Sequence, residues 1–333
     1  MAKARYSWLI NAFQTLVLLA LIAYLFSSLN FRELGKMMVR LNTGWLVVPI
    51  LLHLGAVWLN AYRWMILLKA ASEYPIPLWR LAYSQVVGQF FSVFLPSDMG
   101  GDVYKIHDIH KFYKSHSKSI VSVFLTRVFG FLAMGAILTV GLIISHNMIR
   151  LQSIFWIALT YSLFSFAAIA LLIEKKLLTL ILEKSDFTKE IKNKYILKLV
   201  NVFKELNAVM TNRKAVLSTL LLSFIFQILA IVIIFFYGLT VNIILSFQSL
   251  LLVVPLIMLI SALPISINSL GLREGAFVYF LGWLGLTNEQ GMFVALLSRL
   301  VSGIIIPLIG GMLFVLLRRR IDKTPCRYGL KPE

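Results

Sequence analysis

Six stretches of this chain, 8–29, 44–68, 119–144, 151–173, 215–240 and 290–317, are apolar runs long enough to cross a bilayer. A helix rises about 1.5 Å per residue and a hydrocarbon core is about 30 Å thick, so about 20 apolar residues span it with every backbone group paired internally. The chain of 333 residues is 59% hydrophobic and only 14% charged, too little charge to disperse a water-soluble domain of this size. The expected fold is an all-α integral membrane protein, one polytopic transmembrane domain over 1–333. The longest polar segment, 174–214, is too short for an ordinary soluble enzyme domain. Its apolar residues Ile191, Tyr195, Leu199, Val202, Leu206 and Val209 recur at helical spacing, which predicts an amphipathic helix on the cytoplasmic interface. Residues 1–29 read as a retained first helix, since the apolar run is long for a signal and has no small-x-small cleavage site.

The net charge of +18 would suit nucleic acid in a polar protein. Here it predicts loops beside an anionic leaflet, with membrane lipids as partners and no nucleic acid. Lys and Arg gather in 102–118, in 174–214 and in the tail after Leu317, whereas the loops at 145–150, 241–246 and 286–289 hold only Arg150. The first group is expected inside, with both termini cytoplasmic in the cell (inner) membrane, and the second outside. The loop 30–43, with Arg32, Lys36 and Arg40, is the exception.

That orientation leaves two segments without a crossing. Segment 78–101 must begin and end inside and 247–285 must begin and end outside, and each carries a Pro–Gly break: Leu95-Pro96-Ser97 before Gly100-Gly101, and Leu263-Pro264 before Gly271 and Gly275. Both predict re-entrant or broken helices, which survive at depth only when buried in protein or lining a wet cavity. The chain then divides into two repeats of opposite orientation, about 8–144 and about 151–317. Inverted repeats with paired broken helices put a transport site at their interface near mid-membrane. Ordinary spanning helices kinked by Pro and Gly are the plainer alternative.

Within that frame Arg127 and Arg299 lie about 12 and 13 Å into their helices, from opposite faces, at 1.5 Å per residue. Buried Arg demands a partner or a cavity, and its fork grips phosphate in bidentate fashion. Arg127 with Asp98 or Asp102, and Arg299 with Glu274, are the internal pairs to expect, and a lipid phosphate could displace either carboxylate. Gly100, Gly101 and Gly271 would let an anion approach backbone N–H groups at the breaks, with Ser97, Ser266, Asn268 and Arg273 as further donors. Asn60, Arg63, Gln85, Gln89 and Gln227 read as helix-to-helix contacts. His53 is read as structural, with a proton path left open. The single cysteine, Cys326, excludes an internal disulfide and a CxxC metal site. His107, His110 and His116 lack ligand spacing, no metal or other cofactor is expected, and no catalytic or nucleotide-binding motif stands in a supporting context.

The segments LPSDMGGDVYK (95–105), TRVFG (126–130) and SINSLGLREGAFVYFLGWLGL (266–286) resemble the transmembrane region of the lysylphosphatidylglycerol synthase family, also called flippase-like. Lys105 stands where an Arg is common. The resemblance covers essentially the whole chain and puts Asp102, Arg127, Arg273, Glu274 and Arg299 on the family's motif positions. Fused members make and translocate aminoacylated phosphatidylglycerol. The chain ends soon after its last helix, so that synthase chemistry is not expected and the resemblance implies a standalone lipid or polyprenyl-linked lipid flippase. The resulting expectation is an ATP-independent translocase of an anionic phospholipid or polyprenyl-phosphate-linked lipid, not an enzyme. The alternatives are a membrane enzyme using Asp98 or Asp102, and an accessory subunit of lipid or glycolipid modification acting through 174–214. A homo-oligomer and a lipid-synthesis partner both stay open.

Overall fold

The computed structural model describes residues 29–71, 76–94, 100–113, 115–145, 152–173, 194–263 and 266–322. The expected first helix, apart from its last residue, therefore lies outside the described residues, as do Ser97, Asp98, the basic tail after Asp322 and the first part of the 174–214 segment. The described elements, in order, are α1 (Phe31–Val39), α2 (Thr43–Ala71), α3 (Leu78–Phe94), α4 (Gly100–Tyr113), α5 (His116–Ser145), α6 (Gln152–Ile173), α7 (Lys194–Thr211), α8 (Arg213–Thr240), α9 (Phe247–Ser261), a 3-10 turn (Ile267–Ser269), α10 (Leu272–Gly282), α11 (Asn288–Arg299), a π-helical turn (Leu300–Ile305) and α12 (Ile306–Asp322). The protein is an all-helical membrane protein. Among the described residues four helices are long and apolar enough to span, namely α2, α5, α8 and the run Asn288–Leu317. Their outward faces carry apolar side chains such as Trp58, Ile143, Leu221 and Val315, as a lipid-facing surface requires.

Polar contacts sort the connections by end. Asn30 donates its backbone N–H to Glu289 at 3.3 Å, Asn242 donates to the carbonyl of Arg40 at 2.9 Å, and Ser145 donates to the carbonyl of Gln248 at 3.4 Å. The segments around 30–43, 241–248 and 286–289, together with Ser145, thus share one end of the bundle. The 30–43 loop, anomalous by charge alone, contains the short helix α1, capped by Asn30 and with Lys36 paired to Glu33 at 2.6 Å. At the other end α7 covers α2 and α5, where Val209, Met210, Leu67, Val121 and Val216 form one apolar cluster.

The broken elements are hairpins. Arg80, near the start of α3, donates to Asp108, near the end of α4, at 2.8 Å, so the chain leaves by the end it entered. The arms α3, α4, α9 and α10 have 17, 14, 15 and 11 residues. None reaches the length of a full span at 1.5 Å per residue.

Packing between the halves is reciprocal: α2 lies against α8, α3 against α12, and α9 against α5. The last two crossings are close because glycine is there. A Cβ on Gly310 of α12 would sit 2.3 Å from the Val86 carbonyl oxygen of α3, and one on Gly141 of α5 would sit 2.6 Å from the Leu251 backbone of α9. Without a hydrophobic drive between helices in lipid, such small-residue contacts supply the dispersion energy of association.

Candidate functional site

Each hairpin ends its break with a carboxylate in the first turn of the returning helix. Asp102 lies in the first turn of α4 and Glu274 in that of α10, where the helix dipole favours negative charge. Each meets an arginine 25 residues later: Arg127 Nε donates to Asp102 Oδ2, and Arg299 Nε donates to Glu274 Oε1. The two arginines also occupy the same station. Each follows the first residue of a 30-residue apolar helix, His116–Ser145 or Asn288–Leu317, by the same number of residues. One constant offset in the chain relates Asp102 to Glu274 and Arg127 to Arg299. At 1.5 Å per residue each guanidinium is rooted about 16 Å along its helix, a little over a third of the way.

The surroundings of the pairs differ. Asp102 is shared, because Lys105 Nζ donates to its other oxygen at 2.6 Å and also reaches Gln85 Oε1 at 3.3 Å. Gly101 turns its N–H toward Ser92 Oγ at 2.9 Å and packs on Gly88 of α3, so its role is close packing of the hairpin as well as lining the cavity. Gly100 is buried at the head of α4. In the second half Glu274 Oε2 accepts the N–H of Gly271 at 2.8 Å, and Gly271 takes φ +76°, a conformation that suits glycine. Asn268 and Ser269 are left-handed as well, at φ +49° and +54°, a strained backbone for non-glycine residues that costs about 1–3 kcal/mol each. Their carbonyls accept from the two terminal nitrogens of Arg299 at 3.4 and 3.2 Å. The α-helix widens into a π turn immediately after Arg299, a distortion frequent at functional sites. Arg273 donates to Ser298 Oγ at 2.7 Å and Ser302 Oγ at 3.5 Å. Ser266 is buried, and its hydroxyl has no hydrogen-bond partner among the described residues.

Asp102, Lys105, Gly101, Asn268, Ser269 and the three arginines line a cavity of three adjoining chambers of about 270, 280 and 200 Å³, whereas Gly100, Ser266, Gly271 and Glu274 stand behind its wall. All three are walled by Asn60 and Gln85. The central chamber holds Asp102, Lys105, Arg127, Arg273 and Arg299 together with Asn268 and Gly101. The second is more apolar and adds Arg63, Phe226, Gln227 and Met134 beside Arg127 and Lys105. The third runs past His53, Gln89 and Ile233 to Arg273 and Ser298. His53 lies with Nδ1 3.2 Å from the Pro49 carbonyl.

Arg63, Asn60, Gln85 and Gln89, read from sequence as helix contacts, thus face the cavity, and Gln227 does both, donating to the Gly130 carbonyl at 2.9 Å. Their spacing on α2 and α3 could have placed them on one face, but only the packing of α2 on α8 shows that this face looks inward. Ser298 and Ser302, partners of Arg273, had no signal beyond their position beside Arg299. Among the described residues no three His, Cys, Asp or Glu side chains gather as a metal site.

A comparison with protein families finds one that matches residues 11–310, described as the Lysylphosphatidylglycerol synthase TM region. No curated protein and no solved structure matches the chain.

Proposed function

Since the chain belongs to the Lysylphosphatidylglycerol synthase TM region family, we propose that it is a lipid translocase that passes an anionic head group between two inverted repeats without ATP. The observation that carries the reading is the duplicated Arg–carboxylate pair, each carboxylate rooted beside a hairpin break, with Asp102, Arg127 and Arg299 lining one cavity. An arginine held by a carboxylate can exchange that partner for a phosphate at small net cost, because both bonds are charge-assisted and both can be bidentate. The displaced Asp102 retains Lys105, and the displaced Glu274 retains the Gly271 N–H. Neither acid is stranded as a bare buried charge, which would be costly. Arg127 and Arg299 then serve as the two phosphate stations, with Arg273, Asn268, Ser266, Ser97 and the glycine-flanked breaks as further head-group contacts. Asp98, Asp102 and Glu274 act as charge partners that close each station.

The reciprocal packing of α2 on α8, α3 on α12 and α9 on α5 supports alternating access by rocking one repeat against the other. In the orientation that the loop charges favour, the end bearing α7 and both termini is cytoplasmic. Reconstitution tests the reading. Proteoliposomes containing the protein and a fluorescent phosphatidylglycerol should expose inner-leaflet probe to an external quencher faster than empty vesicles do. Arg127→Ala and Arg299→Ala should each slow that exposure by about tenfold or more, the loss expected for one charge-assisted contact. Unchanged flipping by both variants rejects the mechanism.

A further inference from the structure

Among the described residues the cavity is lined by more cations than the carboxylates paired with them. Arg63, Lys105, Arg127, Arg273 and Arg299 line it, whereas Asp102 and Glu274 are the carboxylates paired with them among the described residues. Arg63 is the most telling. It is 2% exposed and no described carboxylate pairs with it. One terminal nitrogen donates to the Thr126 carbonyl at 2.9 Å, the guanidinium lies 5.0 Å from the Phe226 ring centroid, and its Nε, fully buried, has no acceptor. A buried cation with a vacant donor costs free energy unless an anion completes it. Arg63 shares its chamber with Lys105 and Arg127, so a group bound at that pair lies within the same enclosure.

Resting on the translocase reading above, we propose that the head group this cavity takes carries two phosphoryl groups, as in a diphosphate-linked lipid, with Arg63 as the contact for the second. A phosphodiester brings a single negative charge, which the Arg127 station holds, and leaves Arg63 without a counter-charge. A diphosphate brings two or more, spread over a length that two separated cation stations can hold at once. Gln227 and Asn60, on the same chamber wall, supply neutral donors for the bridging and terminal oxygens. Phe226 and Met134 give the adjoining alkyl or isoprenoid carbons an apolar seat.

The test uses the purified full chain in nanodiscs and two probes with the same tail, geranylgeranyl monophosphate and geranylgeranyl diphosphate, each competing against a fluorescent phosphatidylglycerol. The expected result is diphosphate binding at least about tenfold tighter than monophosphate, with Arg63→Gln abolishing most of that advantage while weakening the monophosphate far less. Equal binding of the two probes to the natural protein overturns the inference and leaves the anionic-lipid translocase intact. Equal weakening of both probes by Arg63→Gln overturns it also. Failure of both probes to compete sinks both readings, and failure of the diphosphate alone overturns the inference. Inorganic pyrophosphate forms a separate arm. Competition weaker than that of the lipid diphosphate places the recognition on a lipid head group, and equal competition rejects a lipid ligand in favour of soluble diphosphate. The comparison of probes on the natural protein requires no variant, so it decides the matter even if Arg63→Gln fails to fold.

Discussion

Replacing Gly101 with alanine should damage both stability and transport. A Cβ at this position would lie 2.5 Å from the Gly88 carbonyl oxygen, 2.6 Å from Ser92 Oγ and 2.9 Å from the Gly88 carbonyl carbon, where ordinary contact begins at 3.4 Å. Two of those atoms are backbone, so α4 must move off α3 by about 1 Å, because close-packed helices have no slack to absorb it. Overpacking of this kind costs about 1–3 kcal/mol. Loss of the hydrogen bond from Gly101 N–H to Ser92 Oγ adds about 1 kcal/mol. The shift also moves the next residue, Asp102, away from Arg127 and Lys105, so a lower melting temperature should accompany slower flipping. The control is Gly275→Ala in the other hairpin, where a Cβ meets nothing within 4 Å; lacking a clash, it should be neutral or gain up to about 1 kcal/mol from helix propensity. Thermal unfolding in detergent and the quencher assay in proteoliposomes, run on both variants, check the pair. Equal behaviour of Gly101→Ala and Gly275→Ala would refute the close-packing argument.

Arg299→Ala should destabilise the protein by about 3–5 kcal/mol, since it strands the buried Glu274 carboxylate, and adding Glu274→Gln should recover most of that loss; thermal melts of the two variants measure the difference. Asp102→Asn frees Lys105 and Arg127 from their shared counter-charge, so anionic head groups should bind about tenfold tighter and cross more slowly, readable as opposite changes in lipid affinity and flipping rate. Trp64→Phe removes the buried indole N–H bond to Ser122 at 3.0 Å and leaves that hydroxyl without its donor, a loss of about 1–3 kcal/mol visible in denaturant titration. Gly310→Ala should push α12 from α3 at a cost of about 1–3 kcal/mol, because its Cβ would meet the Val86 carbonyl; again the melting temperature reports it.

The membrane class was legible because it depends on length and apolarity alone, and the spans over 44–68, 119–144 and 215–240 recur within a few residues as α2, α5 and α8. The hairpins were legible because charge at their flanks forbids a crossing while Pro and Gly mark the turn. What the sequence concealed is what requires three-dimensional packing. Nothing local distinguishes Gly101, wedged on Gly88, from Gly275, which faces open space. Arg63 reads in sequence as one more helix-to-helix contact, and only the packing of α8 on α2 buries it over Phe226. The helix α1 escaped notice because nine residues of mixed polarity give too short a period to read. The π turn after Arg299 has no sequence signature at all.

The account rests on hairpins that enter from opposite faces of the membrane. With Cys326→Ser as background, single cysteines at His107 and Asn288 should react with a membrane-impermeant maleimide from opposite sides of oriented vesicles, the first from the cytoplasmic side and the second from the external side. Labelling of both positions from one face would contradict the inverted arrangement, and the two-station path for a lipid head group with it.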